Sequence, residues 1–178
     1  MSAAEPSCEK TALDFAGRWV DRWNAHDIEG ILALVSDDIL WQDPSLESPA
    51  RGHVEAREYV ASLFRAFPDI SWSMPSGVCV SSVEGHGDGI LRVAQPWACR
   101  GTALGQIDPP GFAPTGKAFE LEGVDLWEMC LPEKRLRQVV SHYDALEFAR
   151  RIELMPSRGS KGERAMVRLQ RLKERLRR

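Results

Sequence analysis

A chain of 178 residues can bury a sizeable core in one domain, and its 43% hydrophobic and 28% charged content is that of an ordinary globular protein. The composition excludes a spanning helix, since no apolar run approaches the ~20 residues one needs. The net charge of -3 conceals a division: from Pro156 onward nine Lys and Arg face two Glu, a net of +7, which leaves -10 on residues 1–155.

The opening "MSAAEPSCEK" has no basic segment ahead of an apolar stretch, so no secretory leader is expected and cytoplasmic residence follows as the expectation. Residues 1–9 are expected to be disordered, residues 10–155 to form one domain, and residues 156–178 to be a basic tail, helical or disordered. The four cysteines (Cys8, Cys79, Cys99, Cys130) stand far apart with no CxxC pair, and His26, His53, His86 and His142 show no ligand spacing. Reduced thiols and no metal are expected.

In chain order, Leu13, Phe15, Ala16, Trp19, Val20 and Trp23 recur at helical spacing and predict an amphipathic helix over about 10–24. Asp27 can cap a second, short helix through Ile28, Ile31, Leu32 and Val35. "SDDILWQDP" predicts a short strand that stops at Pro44, and "SLESPARG" a loop. Ala56, Val60, Leu63, Phe64 and Phe67 predict a third helix, ended by Pro68.

Beyond Pro68 the period changes to two. Strands are predicted over about 70–83, 89–101, 117–130 and 135–144, with "EGHGDG" and "CLPEKR" as turns. Pro96 within the second of these calls for a sheet edge or a bulge. The stretch 103–116, rich in Pro and Gly, is a long loop of the kind that serves as a lid. Helices followed by antiparallel strands give an α+β class: three N-terminal helices packed on one curved, mainly antiparallel sheet, a cone-shaped α+β barrel with a cavity inside.

Alternation then sorts the carboxylates. Asp125 is the one charge on a face shared with Phe119, Leu121, Gly123, Trp127 and Met129. Asp43 shares its side with Ile39 and Trp41, although an Asp before Pro is also a turn-former. On the last strand Leu136, Gln138, Val140, His142 and Asp144 are expected to share a face. His142 reads as a catalytic assistant or as a hydrogen-bonded core histidine, and Asp144 as a site carboxylate or as the cap of the helix "ALEFARRI". A carboxylate in an apolar pocket has its pKa raised and can exchange protons near neutral pH.

"WNAHDIEGILALVSDDILWQDP" (23–44) resembles the helix–helix–strand opening of the nuclear transport factor 2-like superfamily, which includes ketosteroid isomerase and the SnoaL-like polyketide cyclases. On that match Asp43 falls on the isomerase's general base, and "GVDLW" places Asp125 on its protonated, oxyanion-holding aspartate; this pair of roles comes from the family, which is a known example of such pKa tuning. Trp19 stands where the isomerase has a tyrosine donor. "RGTALGQIDPPGFAPTGKAFELEGVDLWEM" resembles the loop and long strand of the SnoaL-like branch, with Ala103 where a histidine often follows Gly-Thr. "VVSHYD" stands where the cyclases tend to have His-Trp-Asp.

The resemblance implies cofactor-independent enolate chemistry on a hydrophobic polyketide-like or cyclic ketone substrate. Asp43, Asp125, His142 and Asp144 would be catalytic, with Trp19, Trp41, Trp127 and Phe64 lining the pocket. The alternative is a non-catalytic module of the same fold that binds a small ligand or dimerises. Expected partners are a small hydrophobic molecule and a second copy of the chain; a membrane is not expected. The basic tail carries Met166, Leu169, Leu172 and Leu176 in a narrow stripe, but has no aromatic residue or motif that would point to nucleic acid.

Overall fold

Helix α1 (Cys8–Asn24) turns Ala12, Phe15, Ala16, Trp19 and Trp23 inward at spacings of three and four. In the computed structural model, which describes residues 8–81, 89–108 and 110–177, it begins two residues before the expected start. The rest of the expected disordered 1–9 segment lies outside the described residues. Asp27 caps the five-residue α2 (Ile28–Leu32), its Oδ1 accepting from the Gly30 N–H at 2.9 Å. Next come β1 (Val35–Gln42), β2 (Ala50–Arg51) and α3 (Gly52–Ala66), which buries Ala56, Val60 and Ala66. The segment expected to be loop thus contains β2, a two-residue strand antiparallel to β1.

The predicted strand over 70–83 is two strands, β3 (Ser71–Ser73) and β4 (Cys79–Ser81), separated by a stretch that contains Pro75 and Gly77. Of the "EGHGDG" turn, only Gly89 is within the described residues. The long strands follow: β5 (Ile90–Thr102), β6 (Ala118–Cys130) and β7 (Arg135–His142). Two helices close the chain, α4 (Ala145–Arg151) and α5 (Lys161–Leu176).

The sheet runs β2-β1-β7-β6-β5-β3, with β4 also on β5. Only the β1–β7 pair is parallel among these strands. Strands β5 and β6 pair along their full length, from Ile90 opposite Cys130 to Thr102 opposite Ala118. Pro96 falls between the stretches of β5 that pair with β3 and with β4, where the outer side of the strand has no described partner. Its missing N–H therefore costs no ladder bond there, the edge position its presence called for.

On β6 the alternation holds: Phe119, Asp125, Trp127 and Met129 are buried, while Glu120, Glu122 and Leu126 are exposed. On β7 it is broken. Leu136 stands opposite Met129 and Gln138 opposite Glu128, so Arg137 is an extra residue, a β-bulge. The bulge shifts the faces by one: Leu136, Val139 and Ser141 turn inward and His142 turns outward. The expected face of Leu136, Gln138, Val140, His142 and Asp144 is corrected accordingly.

Two apolar clusters result. One gathers Phe15, Trp19, Trp23, Trp41 and Trp127 with the inward side chains of β1 and β7. The other gathers Phe67, Trp97, Phe119 and Ile152. No helix of the described residues is long and apolar enough to cross a membrane.

The fully buried Leu136 should lose about 2–5 kcal/mol of unfolding free energy on truncation to Ala. If the bulge sets the faces, Val139→Ala should cost clearly more than Val140→Ala in urea titrations. Equal costs would contradict the shifted alternation.

Candidate active site

The site is built on a contact across two strands. Trp97 of β5 pairs with Gly123 of β6, and Gln95 with Asp125. A Cβ on Gly123 would lie 2.3 Å from the Trp97 ring, so glycine is what lets the indole lie across β6. From there Trp97 Nε1 donates to Asp125 Oδ1 at 2.8 Å. Asp125 is 7% exposed. Burial pushes its carboxyl up to about 6; hydrogen bonds from Ser141 and Trp97 work against that rise and the charge of Asp43 adds to it.

Asp43 follows the last residue of β1. Its Oδ1 accepts from the Ser45 N–H at 2.8 Å, the Ser45 hydroxyl at 2.5 Å and the Tyr143 hydroxyl at 2.9 Å. The two sequence readings of Asp43 are therefore both met: it forms an Asx turn through Pro44, and it faces the cavity. The turn itself fixes the carboxylate. Tyr59 of α3 and Tyr143 have phenols held well above the usual range, by burial first and then by the charge of Asp43. Both remain hydroxyl donors. Cys99, also on the wall, has its thiol pushed up to about 12 by burial and is not a nucleophile at neutral pH.

These groups share one cavity of about 260 Å³, bounded by residues of both apolar clusters. Asp43, Asp108 and Asp125 are on its wall, with no Lys, Arg or His among the described residues that line it. Loop 103–116 covers one side with Ile107, Asp108 and Phe112. It is pinned to the end of α3: the Gly105 N–H donates to the Ala66 carbonyl at 3.0 Å, and a Cβ on Gly105 would meet the Arg65 carbonyl at 1.8 Å.

Of the residues singled out from sequence, Asp43, Asp125, Trp19 and Trp41 line this cavity. Four do not. His142 is exposed on the outer face because of the bulge. Asp144 is exposed and caps α4, accepting from the Glu147 N–H at 2.8 Å. Trp127 is packed in the core against Phe15 and Trp19, and Phe64 stacks on His26 with ring centroids 4.3 Å apart. Tyr59, Trp97, Ser141 and Tyr143 were missed. Tyr59 lies three residues after Ala56 and four before Leu63, so its place on the inward face of α3 was readable. Tyr143 and Ser141 were hidden by the bulge.

A family model described as a SnoaL-like domain matches residues 16–134. The chain belongs to this SnoaL-like family. No curated protein sequence matches it. Among solved structures, a protein described as a SnoaL-like polyketide cyclase from Jannaschia sp. CCS1 superposes with a TM-score of 0.63 at 18% identity, over 87% of this chain and 100% of its own. AclR from Streptomyces galilaeus, described as a hydroxylase, gives 0.64 at 18% identity, over 95% and 98%. TerC, crystallised with polyporic acid, gives 0.57 at 19% identity, over 80% and 98%. At these identities the likeness is one of fold: the SnoaL-like curved sheet and helices.

A folded Asp125 that keeps its proton to about pH 6, against ~4 for an unfolded aspartate, favours folding at low pH. That advantage is fully present below pH ~4 and is lost as pH rises through about 6. Asp125→Asn removes the titration but keeps an acceptor for Trp97. The stability gap between variant and parent should therefore shift in the variant's favour by on the order of 2 kcal/mol between pH 4 and pH 7.5. Urea denaturation at the two pH values measures it, and a constant gap would refute the raised pKa.

Proposed function

We propose that this protein carries out cofactor-independent enolate chemistry, as a cyclase or isomerase, on a hydrophobic polyketide-like or cyclic ketone substrate held in the cone. The observation that carries the reading is that Asp43 and Asp125 face one apolar cavity, each fixed by donors from neighbouring strands and turns. Family membership supports it, as do neighbours of the same fold described as polyketide cyclases.

In this mechanism Asp43 is the base. Its Oδ1 is pinned by Ser45 and Tyr143, which orients the carboxylate toward a substrate carbon beside a carbonyl. Asp43 takes the proton from that carbon, and the C–H electron pair becomes the enolate. The protonated form of Asp125 donates to the enolate oxygen, and a substrate that fills the cavity excludes water and favours this form further. The one proton of the Tyr143 hydroxyl is committed to Asp43, so the enolate oxygen is held by Asp125 and Tyr143 acts by positioning the base. Protonated Asp43 then either returns the proton to a different carbon of a conjugated enolate, or, once the enolate carbon has formed a C–C bond to a second carbonyl, the oxygen of that carbonyl takes the proton. No redox group is needed in either branch.

The second reading, a non-catalytic ligand-binding module, rests on the departures at Trp19 and Ala103. The two readings differ in turnover, not in binding. With a substrate of the proposed class, Asp43→Asn should lower kcat/KM by at least about a thousandfold, the scale of losing a positioned base together with its alignment. The circular dichroism spectrum should be unchanged. The parent's kcat/KM should decline above about pH 6, as Asp125 loses its proton. Binding with no turnover in the parent, or full activity in Asp43→Asn, would overturn the proposal.

A further inference from the structure

Helix α5 is capped at its start and uncovered along its length. Ser160 accepts from the Glu163 N–H at 3.1 Å, while Glu163 accepts in return from the Gly159 N–H at 2.6 Å. Beyond Glu163 every described residue is exposed, including Leu169 at 67%, Leu172 at 53% and Leu176 at 79%. A 16-residue helix in water is marginal, and helices in proteins are held mainly by packing one apolar face.

The order of residues in α5 describes the surface it fits. Ala165, Leu169, Leu172 and Leu176 follow at steps of four, three and four, which keeps them within roughly 60° of one another around the helix. Arg164, Arg168, Arg171 and Arg175 each come one residue earlier and form a second row about 100° away, along one border of the first. Lys173 stands on the other border. Glu163 and Glu174, the only acids of the helix, fall roughly 150–170° from the middle of the leucine row, on the opposite side. Glu163 approaches Arg150 of α4 at 3.9 Å, so that acidic side is turned toward α4 and the leucine row away from it. Among the described residues none of the four arginines makes an ion pair.

A helix that selects one protein partner carries flanking charges of both signs and anchors on aromatic side chains. Helix α5 has neither. The charges bordering its leucines are of one sign from end to end, and no Phe, Trp or Tyr occurs after Phe148. A uniform row of cations beside leucines fits a uniform field of anionic groups over apolar chains, which is what a phospholipid leaflet presents. The long arginine stems let the charged heads reach the phosphates while the leucines sit deeper. The acidic body does not prevent the approach. Residues 1–155 carry -10, but at about 0.1 M salt charges are screened over ~10 Å, and the 16 residues of α5 extend for about 24 Å.

We propose that α5 is an interfacial helix that seats the protein on an anionic lipid leaflet. Leu169, Leu172 and Leu176 lie below the headgroups, and Arg164, Arg168, Arg171, Lys173 and Arg175 lie among the phosphates. Such a helix lies in the surface and needs no spanning run, so the apolar lengths that exclude a crossing segment, and with them the expectation of no membrane partner, do not bear on it. None of these residues lines the cavity, so the inference is independent of the enolate reading.

Cosedimentation of the full-length chain with lipid vesicles tests it. The chain should bind phosphatidylcholine vesicles containing about 30% phosphatidylserine at least about tenfold more tightly than phosphatidylcholine alone, and should leave them in molar salt. Arg168→Gln/Arg171→Gln should weaken binding by roughly thirtyfold, since each cation at the surface is worth about fivefold. Leu169→Asp/Leu172→Asp should abolish it. All four residues are exposed, so the sheet signal in circular dichroism should be unchanged. Equal binding to the two kinds of vesicle overturns the proposal, as does binding to neither. A leucine variant that binds like the parent also overturns it, since charge alone would then act, as on any polyanion. So does a parent that ignores vesicles but loses mass in light scattering when the leucines are replaced, which would assign the helix to a protein partner.

Discussion

The indole of Trp97 lying over Gly123 is the contact on which the site depends. It lets a carboxylate stand in an apolar wall with a donor already in place. A charge buried without such a partner would simply keep its proton or pull water into the core. With one, Asp125 sits near the point of titration and can respond to what enters the cavity. Full-length pairing of β5 with β6 is what makes the contact possible, because it holds residue 97 against residue 123 without slack.

Around that contact the structure divides its labour. The tryptophans of α1 and β1 make one wall, and the β5 and β6 aromatics with α4 make another. The cavity is the space these two clusters leave between them. Its polar groups come from both strands and turns: Asp125 from within β6, Asp43 just after β1, Tyr143 just after β7 and Asp108 from the loop 103–116. The paired strands fix Asp125, and the turn after β1 fixes Asp43.

Much of this was legible in the sequence because it rests on local rules. Helical spacing in α1 and α3, the Asp27 cap and the alternation of β6 all follow from period and capping chemistry. Alternation on β1 and β6 put Asp43 and Asp125 each on an apolar face, and the family resemblance joined them in one site. What was not legible rests on partners distant in sequence. The Arg137 bulge has no local signature, yet it turns His142 out and brings Ser141 and Tyr143 in. Phe64, expected to line the pocket, instead packs on His26 and Trp23, contacts that helical spacing in α3 does not reveal. Trp97 needed the register of β5 on β6, which alternation alone does not supply.

Pro96 bears on how this protein behaves in a crowded solution. On that side of β5 the sheet ends in two three-residue strands, with the proline between the stretches they cover. A strand from another molecule would find no unbroken row of amide and carbonyl groups to extend. The outer face of the sheet can thus keep an exposed Leu126 without its border inviting the polymerising strand addition that leads to fibres.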